Sequence, residues 1–124
     1  AVGAIPRSSR RALGLARRAP RLGERVATLG HPGHWSLFLA EGVVSGVGRR
    51  SSRLLEGLGS LGSLRHFQRR CAAGGLVMTT AAGGPGSSGG PLLGLDGMVA
   101  GVTTWQFSGG AGPRVMVAIG VDVL

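Results

Sequence analysis

Two adjacent serines, Ser87 and Ser88, lie inside a glycine-rich stretch near the C-terminus, GGPGSSGGPLLGLDG, residues 83–97. A serine hydroxyl can act as a nucleophile in acyl transfer, although it is a weak one without an adjacent base. The flanking glycines suit that chemistry, because they let the backbone turn sharply and bring N–H groups close to a developing negative charge. A flexible Gly/Ser linker is the other interpretation. A linker is not normally followed by an apolar segment, a DG hairpin signal and a second apolar run, so the pattern favours a nucleophile loop.

Few side chains in the sequence could activate a serine. Three histidines (His31, His34 and His66) and three glutamates precede Ser88, whereas no aspartate does and no histidine follows it. Neither the order His, Asp, Ser nor the order Ser, Asp, His can therefore be completed within the chain. A base would have to come either from one of these three histidines or from outside the chain. The turn HPGH, residues 31–34, spaces two histidines for a metal but has no third ligand nearby, so neither a metal nor a cofactor is predicted.

The composition restricts the class of protein. The 124 residues are enough for one small domain, with 25 glycines, a single cysteine (Cys71) and a net charge of +9. One cysteine excludes an internal disulfide. All 14 basic residues are arginine, and no DNA-reading or RNA-stacking motif accompanies them. We interpret the charge as a solvated basic surface and expect no nucleic-acid partner, and no run of about 18 apolar residues predicts a membrane span.

Short apolar segments between glycine-rich turns predict an all-β domain, either an antiparallel barrel or a sandwich. The DG pair, Asp96-Gly97, predicts a type I′ hairpin turn. Around residues 10–18 the sequence is compatible with a short helix or with a loop, and the Leu/Gly/Ser-rich residues 49–75 are predicted to be a surface insertion. Strands are predicted over residues 25–30, 36–48 (one or two strands, bent at Gly42), 76–81, 91–95, 98–104 and 114–119.

The serine stretch in this context resembles the nucleophile loop of trypsin-like serine proteases, in particular their HtrA/Deg branch. The resemblance is carried by GPGSSGGP at residues 84–91, by TTAA before it and by GVTT at residues 101–104. TTAA and the upstream LGH turn look most like the peroxisomal leader-peptide-processing proteases of that branch, which implies a peroxisomal location. The resemblance implies that residues 23–124 are the second, C-terminal β-barrel of a two-barrel protease whose first barrel is absent. Residues 1–22 would then be a basic linker or a remnant of the inter-barrel segment.

The resemblance also implies a catalytic role for the serine loop. Ser88 would be the nucleophile, and the backbone N–H groups of Gly86 and Ser88 would form the oxyanion hole, with Ser87 lining the turn. The family's histidine and aspartate belong to the first barrel. The chain alone is therefore expected to be inactive.

Further positions are implied to bind substrate. Ala82, six residues before the serine, and Gly83 would form the base of an uncharged primary pocket. Such a pocket favours cleavage after small or apolar residues, because an unpaired buried charge is costly. Thr103, Thr104 and Trp105 would pair with the backbone of a polypeptide substrate as an added β-strand.

Three functions follow from this sequence. The leading interpretation is a fragment of a serine endopeptidase. The second is a catalytically dead peptide-binding module of the same fold. The third, less favoured, is a basic nucleic-acid-binding domain.

Overall fold

The computed structural model describes residues 11–33, 36–48, 75–107 and 114–122. These ranges contain six β-strands and no helix, and hence no helix that could cross a membrane. The strands are β1 (Arg25–Gly30), β2 (Phe38–Gly48), β3 (Leu76–Thr79), β4 (Pro91–Gly94), β5 (Val99–Phe107) and β6 (Val115–Gly120).

All six strands join in one closed antiparallel barrel. Their order is β1-β2-β3-β6-β5-β4, and β4 pairs back onto β1 to complete the circle. Closure gives every strand a neighbour on both sides, which is how small antiparallel domains remove exposed sheet edges. The predicted all-β class is confirmed, and between the two architectures left open by the sequence the barrel is the one observed.

Strand β2 pairs with two different strands along its length. Its first half, from Phe38 to Val43, pairs with β1, and its second half, from Val44 to Gly48, pairs with β3. Of the one or two strands predicted for this segment, one continuous strand is observed. A side chain at Gly42 would collide with the backbone of Ala81, so glycine is required there for the close approach of the chain.

The barrel interior is filled by a few small side chains. The buried cluster consists of valines, one leucine and one alanine, contributed by β1, β2, β3, β4 and β6: Val26, Val44, Val77, Leu92 and Ala118. The alternation along β1, where Val26 and Thr28 are buried and Arg25 is exposed, follows from the two-residue period of a strand. A six-stranded barrel is narrow, so valine-sized side chains suffice to fill it.

The hairpin between β4 and β5 forms as predicted, but its turn differs. Among the described residues only glycines have positive φ, so Asp96 cannot occupy a type I′ turn, whereas Gly97 has φ +78°. The N–H of Gly97 donates to the Gly94 carbonyl (3.0 Å), and the N–H of Gly94 donates to the Met98 carbonyl (3.0 Å). The connection is thus a three-residue loop with glycine in the left-handed position, a geometry that spares aspartate an unfavourable φ.

The segment before the barrel, described from residue 11 onward, contains bends and a turn but no helix. Leu15 forms an isolated parallel bridge with Val99, and the N–H of Ala16 donates to the Val99 carbonyl (2.8 Å). The segment thereby contacts the start of β5. Other predicted features lie outside the described residues, namely residues 1–10, most of the insertion at 49–75, Cys71, His34 and His66.

Candidate active site

The loop between β3 and β4 contains a tight turn over residues 84–87. The N–H of Ser87 donates to the Gly84 carbonyl at 2.9 Å, which closes the turn. Pro85 occupies its second position, and Gly86, with φ +98°, its third. This combination of proline followed by a glycine of positive φ is typical of a type II turn.

A second turn over residues 87–90 follows without a gap. The N–H of Gly90 donates to the Ser87 carbonyl at 3.1 Å, and Gly89, with φ +85°, takes the position that requires positive φ. Ser88 is therefore at the corner of the turn, and it is exposed. Glycine at the following position is what permits this presentation of the serine.

Ser87 is the residue that the two turns share, and it is only 4% exposed. Its hydroxyl accepts a hydrogen bond from the N–H of Gly84 (3.3 Å), its own N–H closes the first turn, and its carbonyl closes the second. The adjacent serines thus have opposite surroundings, since Ser87 is an internal anchor and Ser88 is presented to solvent.

The loop is held against the connection that follows β1. The N–H of Gly33 donates to the Pro85 carbonyl at 2.7 Å. A Cβ at Gly86 would collide with the His31 carbonyl oxygen, and one at Gly90 would collide with the Leu29 carbonyl oxygen. The sequence interpretation considered the HPGH turn for its imidazoles and missed this backbone support, for which no local sequence signal exists.

Thr103 on β5 contacts the loop with its side chain and its backbone. Its carbonyl accepts from the N–H of Gly89 (2.8 Å), and its N–H donates to the Gly90 carbonyl (2.8 Å). Its hydroxyl lies 2.6 Å from the Ser87 carbonyl oxygen and 3.0 Å from that of Gly90. The backbone groups that were predicted to meet a substrate at Thr103 are therefore engaged by the serine loop.

The adjacent residue, Thr104, is the extra residue of a β-bulge. β5 pairs with β6 at Thr103↔Ala118 and then at Trp105↔Val117, which leaves Thr104 between two registered pairs. Bulges commonly redirect a residue next to a site. Here the Thr104 carbonyl accepts a hydrogen bond from the Ser88 hydroxyl. The structure describes the backbone of Trp105 but not its side chain.

Two backbone donors remain beside Ser88. Within the described ranges, the N–H groups of Gly86 and Ser88 donate to no acceptor, whereas that of Ser87 closes the first turn. Of the three residues predicted for an oxyanion hole, Gly86 and Ser88 therefore carry the available donors. Whether they bind an oxyanion stays a prediction.

The predicted pocket residues lie at the start of the same loop. Ala82 is exposed, and its carbonyl accepts from the hydroxyl of Thr28 at 2.8 Å. The side chain of Met116 on β6, 3% exposed, occupies the space into which a Cβ at Gly83 would project. Met116 was not among the predicted site residues, because it comes from a strand some thirty residues further along the sequence.

Both described upstream glutamates form ion pairs with arginines. Glu24 pairs with Arg18 (2.7 Å) and Glu41 with Arg25. The hydrogen bond from Arg18, with a second from the backbone N–H of Arg21, holds the pKa of Glu24 below its ordinary value, and the same contact raises the pKa of Arg18. His31 is exposed, and the described residues bring together no group of three His, Cys, Asp or Glu side chains that could hold a metal.

Comparison with known proteins places this barrel in a family. The chain matches the trypsin-like peptidase domain over residues 1–102. No significant match was found among curated proteins. A solved structure of the HtrA-type protease AlgW with a decapeptide is similar at 26% identity and a TM-score of 0.64, over 90% of this chain and 30% of that chain. The serine endoprotease from Yersinia pestis is similar at 20% identity and a TM-score of 0.59, over 90% of this chain and 32% of that chain.

These likenesses differ in what they support. The similarity to the Yersinia pestis enzyme supports the fold alone. The family match shows that the chain is also related to this family by sequence. The chain spans about 30% of the first of these structures. It belongs to the trypsin-like peptidase domain family, with HtrA-type proteases as structural neighbours.

Proposed function

We propose that this chain is the nucleophile-bearing, C-terminal barrel of a serine endopeptidase. The observation that carries the proposal is the double turn that exposes Ser88 beside two backbone N–H groups, those of Gly86 and Ser88, without acceptors in the described part of the chain. Family membership and the 26%-identical HtrA-type neighbour support it. Because the chain spans 30% of that neighbour, the activity of the whole protein is part of the proposal.

The reaction would proceed through an acyl-enzyme. The Ser88 oxygen attacks the carbonyl carbon of the scissile peptide bond while its proton passes to an imidazole base. The resulting oxyanion accepts hydrogen bonds from the N–H groups of Gly86 and Ser88. The C–N bond then breaks, the leaving amine takes the proton from the base, and water hydrolyses the ester by the same steps in reverse.

The base and its orienting carboxylate are assigned to the first barrel of the complete protein. Two observations support this assignment. The Ser88 hydroxyl donates to the Thr104 carbonyl, which cannot take its proton, and Glu24 and Glu41 are already paired with arginines. A serine without a base is a poor nucleophile, so this barrel would need its partner barrel to react.

The substrate would be a polypeptide held along β5. The decapeptide in the AlgW structure supports this class of substrate. Since the backbone of Thr103 is occupied by the serine loop, pairing would begin at the bulge residue Thr104 and continue along the strand. A peptide N–H binding the Thr104 carbonyl would release the Ser88 hydroxyl.

Small residues would be preferred before the scissile bond. Ala82 and Gly83 add no charge to the pocket, and Met116 fills the space beside Gly83. Met116→Ala should therefore enlarge the pocket. We expect the kcat/KM ratio of a leucine substrate over an alanine substrate to rise roughly tenfold, the scale on which hydrophobic pockets discriminate side-chain size. An unchanged ratio would show that Met116 does not line the pocket.

Labelling with a fluorophosphonate tests the proposed activity. The complete gene product that carries this barrel should label rapidly, and Ser88→Ala should abolish labelling. Ser45→Ala is the matched control, because Ser45 is an exposed serine on β2, away from the loop. Labelling that survives in Ser88→Ala would refute the assignment of the nucleophile.

The 124-residue chain by itself should label far more slowly. Without a base, an oxyanion hole and binding alone provide only about 10³–10⁴-fold acceleration over water. If the chain labels rapidly and His31→Ala or His34→Ala stops it, a local histidine is the base and the divided site is wrong.

A second candidate function is a peptide-binding module of the same fold without catalysis. The bond from Ser88 to Thr104 favours it, because the hydroxyl is already engaged. Decapeptide binding by the complete protein, measured by calorimetry, together with no labelling of Ser88, would select this function over the protease.

The finer placement among peroxisomal leader-peptide-processing proteases is also a proposal. It rests on the TTAA segment and the LGH turn alone. Co-localisation of the tagged complete protein with a peroxisomal marker tests it.

A further inference from the structure

Thr103 has a buried side-chain hydroxyl that lies within hydrogen-bond distance of two carbonyls of the serine loop. It is 1% exposed, and its Oγ1 lies 2.6 Å from the Ser87 carbonyl oxygen and 3.0 Å from the Gly90 carbonyl oxygen. A threonine hydroxyl carries one proton. Both carbonyls also accept a backbone N–H, and the Ser87 oxygen is the nearer acceptor for the hydroxyl proton of Thr103.

The Ser87 carbonyl is a point where one bond can control the whole loop. It belongs to the residue shared by both turns, and it also accepts the N–H of Gly90 that closes the turn presenting Ser88. A group that fixes this carbonyl fixes the turn, and with it the direction of the Ser88 side chain and N–H. The constraint is buried, so water cannot replace it.

We propose that Thr103 is a positioning residue for the acylation of Ser88, acting through the Ser87 carbonyl rather than through contact with substrate. The inference rests on the proposed protease function. It replaces the substrate contact that the sequence predicted at this position with an internal one. The two adjacent threonines of β5 thus have different roles. Thr103 bonds to the Ser87 carbonyl and fixes the loop, and the carbonyl of Thr104 accepts the hydroxyl of Ser88.

The test compares Thr103→Val with Thr103→Ser. Valine keeps the shape and removes the donor, so the Ser87 carbonyl loses one of its two bonds. We expect kcat and the maximal rate of fluorophosphonate labelling of the complete protein to fall about tenfold, with KM unchanged, because misplacement of the reacting group affects the chemical step. Serine retains the hydroxyl and should restore most of the lost rate.

Thr79→Val is the matched control. Thr79 is also fully buried in the barrel, but its hydroxyl accepts the N–H of Ala81, which precedes the two turns that contain Ser87 and Ser88. It should cost similar stability without lowering kcat. In the 124-residue chain, exchange of the Gly90 amide should accelerate about tenfold in Thr103→Val, since one hydrogen bond fewer holds its acceptor, and should not change in Thr79→Val.

The outcomes separate the inference from the function on which it rests. Ser88-dependent labelling at the wild-type rate in Thr103→Val, an equal loss in Thr79→Val, or no rescue by serine would overturn the positioning role alone. Labelling that does not depend on Ser88 would overturn the protease function. Equal Gly90 exchange in both valine variants would overturn the inference whatever the activity.

Discussion

The serine loop and the hairpin turn between β4 and β5 are both short glycine-containing connections, but they differ in what surrounds them. In the hairpin, Gly97 has φ +78° and a side chain there would meet nothing within 4 Å. In the serine loop, Gly86 has φ +98° and a side chain there would also collide with the His31 carbonyl. Gly90 has no positive φ and would collide with the Leu29 carbonyl.

The difference shows that glycine serves two separate purposes in this barrel. The hairpin needs glycine only for the turn itself, and that turn links adjacent strands. At Gly86 and Gly90 the serine loop needs glycine because another part of the backbone passes close by, whereas Gly89, like Gly97, serves only the turn. Gly86 and Gly90 therefore differ from Gly97 by their close packing against another part of the backbone.

Gly86→Ala should have the largest effect on stability, because it combines an unfavourable positive φ with a steric clash against the backbone. We expect a loss of about 2–5 kcal/mol in the free energy of unfolding, from the strain of a non-glycine residue at positive φ and from overpacking against His31. Urea unfolding of the 124-residue chain followed by circular dichroism measures it. A loss no greater than that of Gly97→Ala would show that the backbone at His31 moves aside at little cost.

Gly90→Ala isolates the packing cost. Its φ suits any residue, so the expected loss of about 1–3 kcal/mol comes only from displacing the Leu29 backbone. Labelling of Ser88 in the complete protein should also fall, because the second turn ends at Gly90. Full stability with normal labelling would mean that the loop does not depend on this close approach.

Gly97→Ala isolates the conformational cost. We expect a loss of about 1–2 kcal/mol, the penalty for a left-handed backbone in an L-residue, and no change in Ser88 labelling. The same urea titration gives the stability. A larger loss of stability than for Gly90→Ala would mean that backbone conformation costs more than close packing. That result would contradict the comparison between the serine loop and the hairpin.

The smallest effect is expected at a turn held by charge, where Glu24 bonds to Arg18 and to the backbone N–H of Arg21. The pKa of Glu24 is lowered in the folded chain, so its contribution is present above its ordinary pKa of 4.5 and is lost as the pH falls through the folded value. The difference in Tm between the chain and its Glu24→Gln variant should thus shrink on acidification from pH 6 to pH 3. High salt should shrink it as well, since the pair is exposed.

Most of the barrel could be predicted from local patterns. The strand Arg25–Gly30 and the hairpin around residues 95–97 were expected nearly as observed, because alternation and a DG turn act over a few residues. The turn type was wrong because the sequence does not reveal whether two or three residues form the loop. The partner change along β2, between Val43 and Val44, was missed for a similar reason, since it depends on where β3 lies in the barrel.

In the candidate site, too, some features could be predicted from the local sequence and others depend on tertiary contacts. The order Gly-Ser-Ser-Gly-Gly by itself indicated a serine in a tight turn, because glycine readily adopts the positive φ that such turns require. Only the tertiary structure decided which serine is buried, that Thr103 holds the loop and that Met116 fills the space beside Gly83. Those contacts join strands far apart in the chain, and barrel closure, a property of all six strands together, brings them into register.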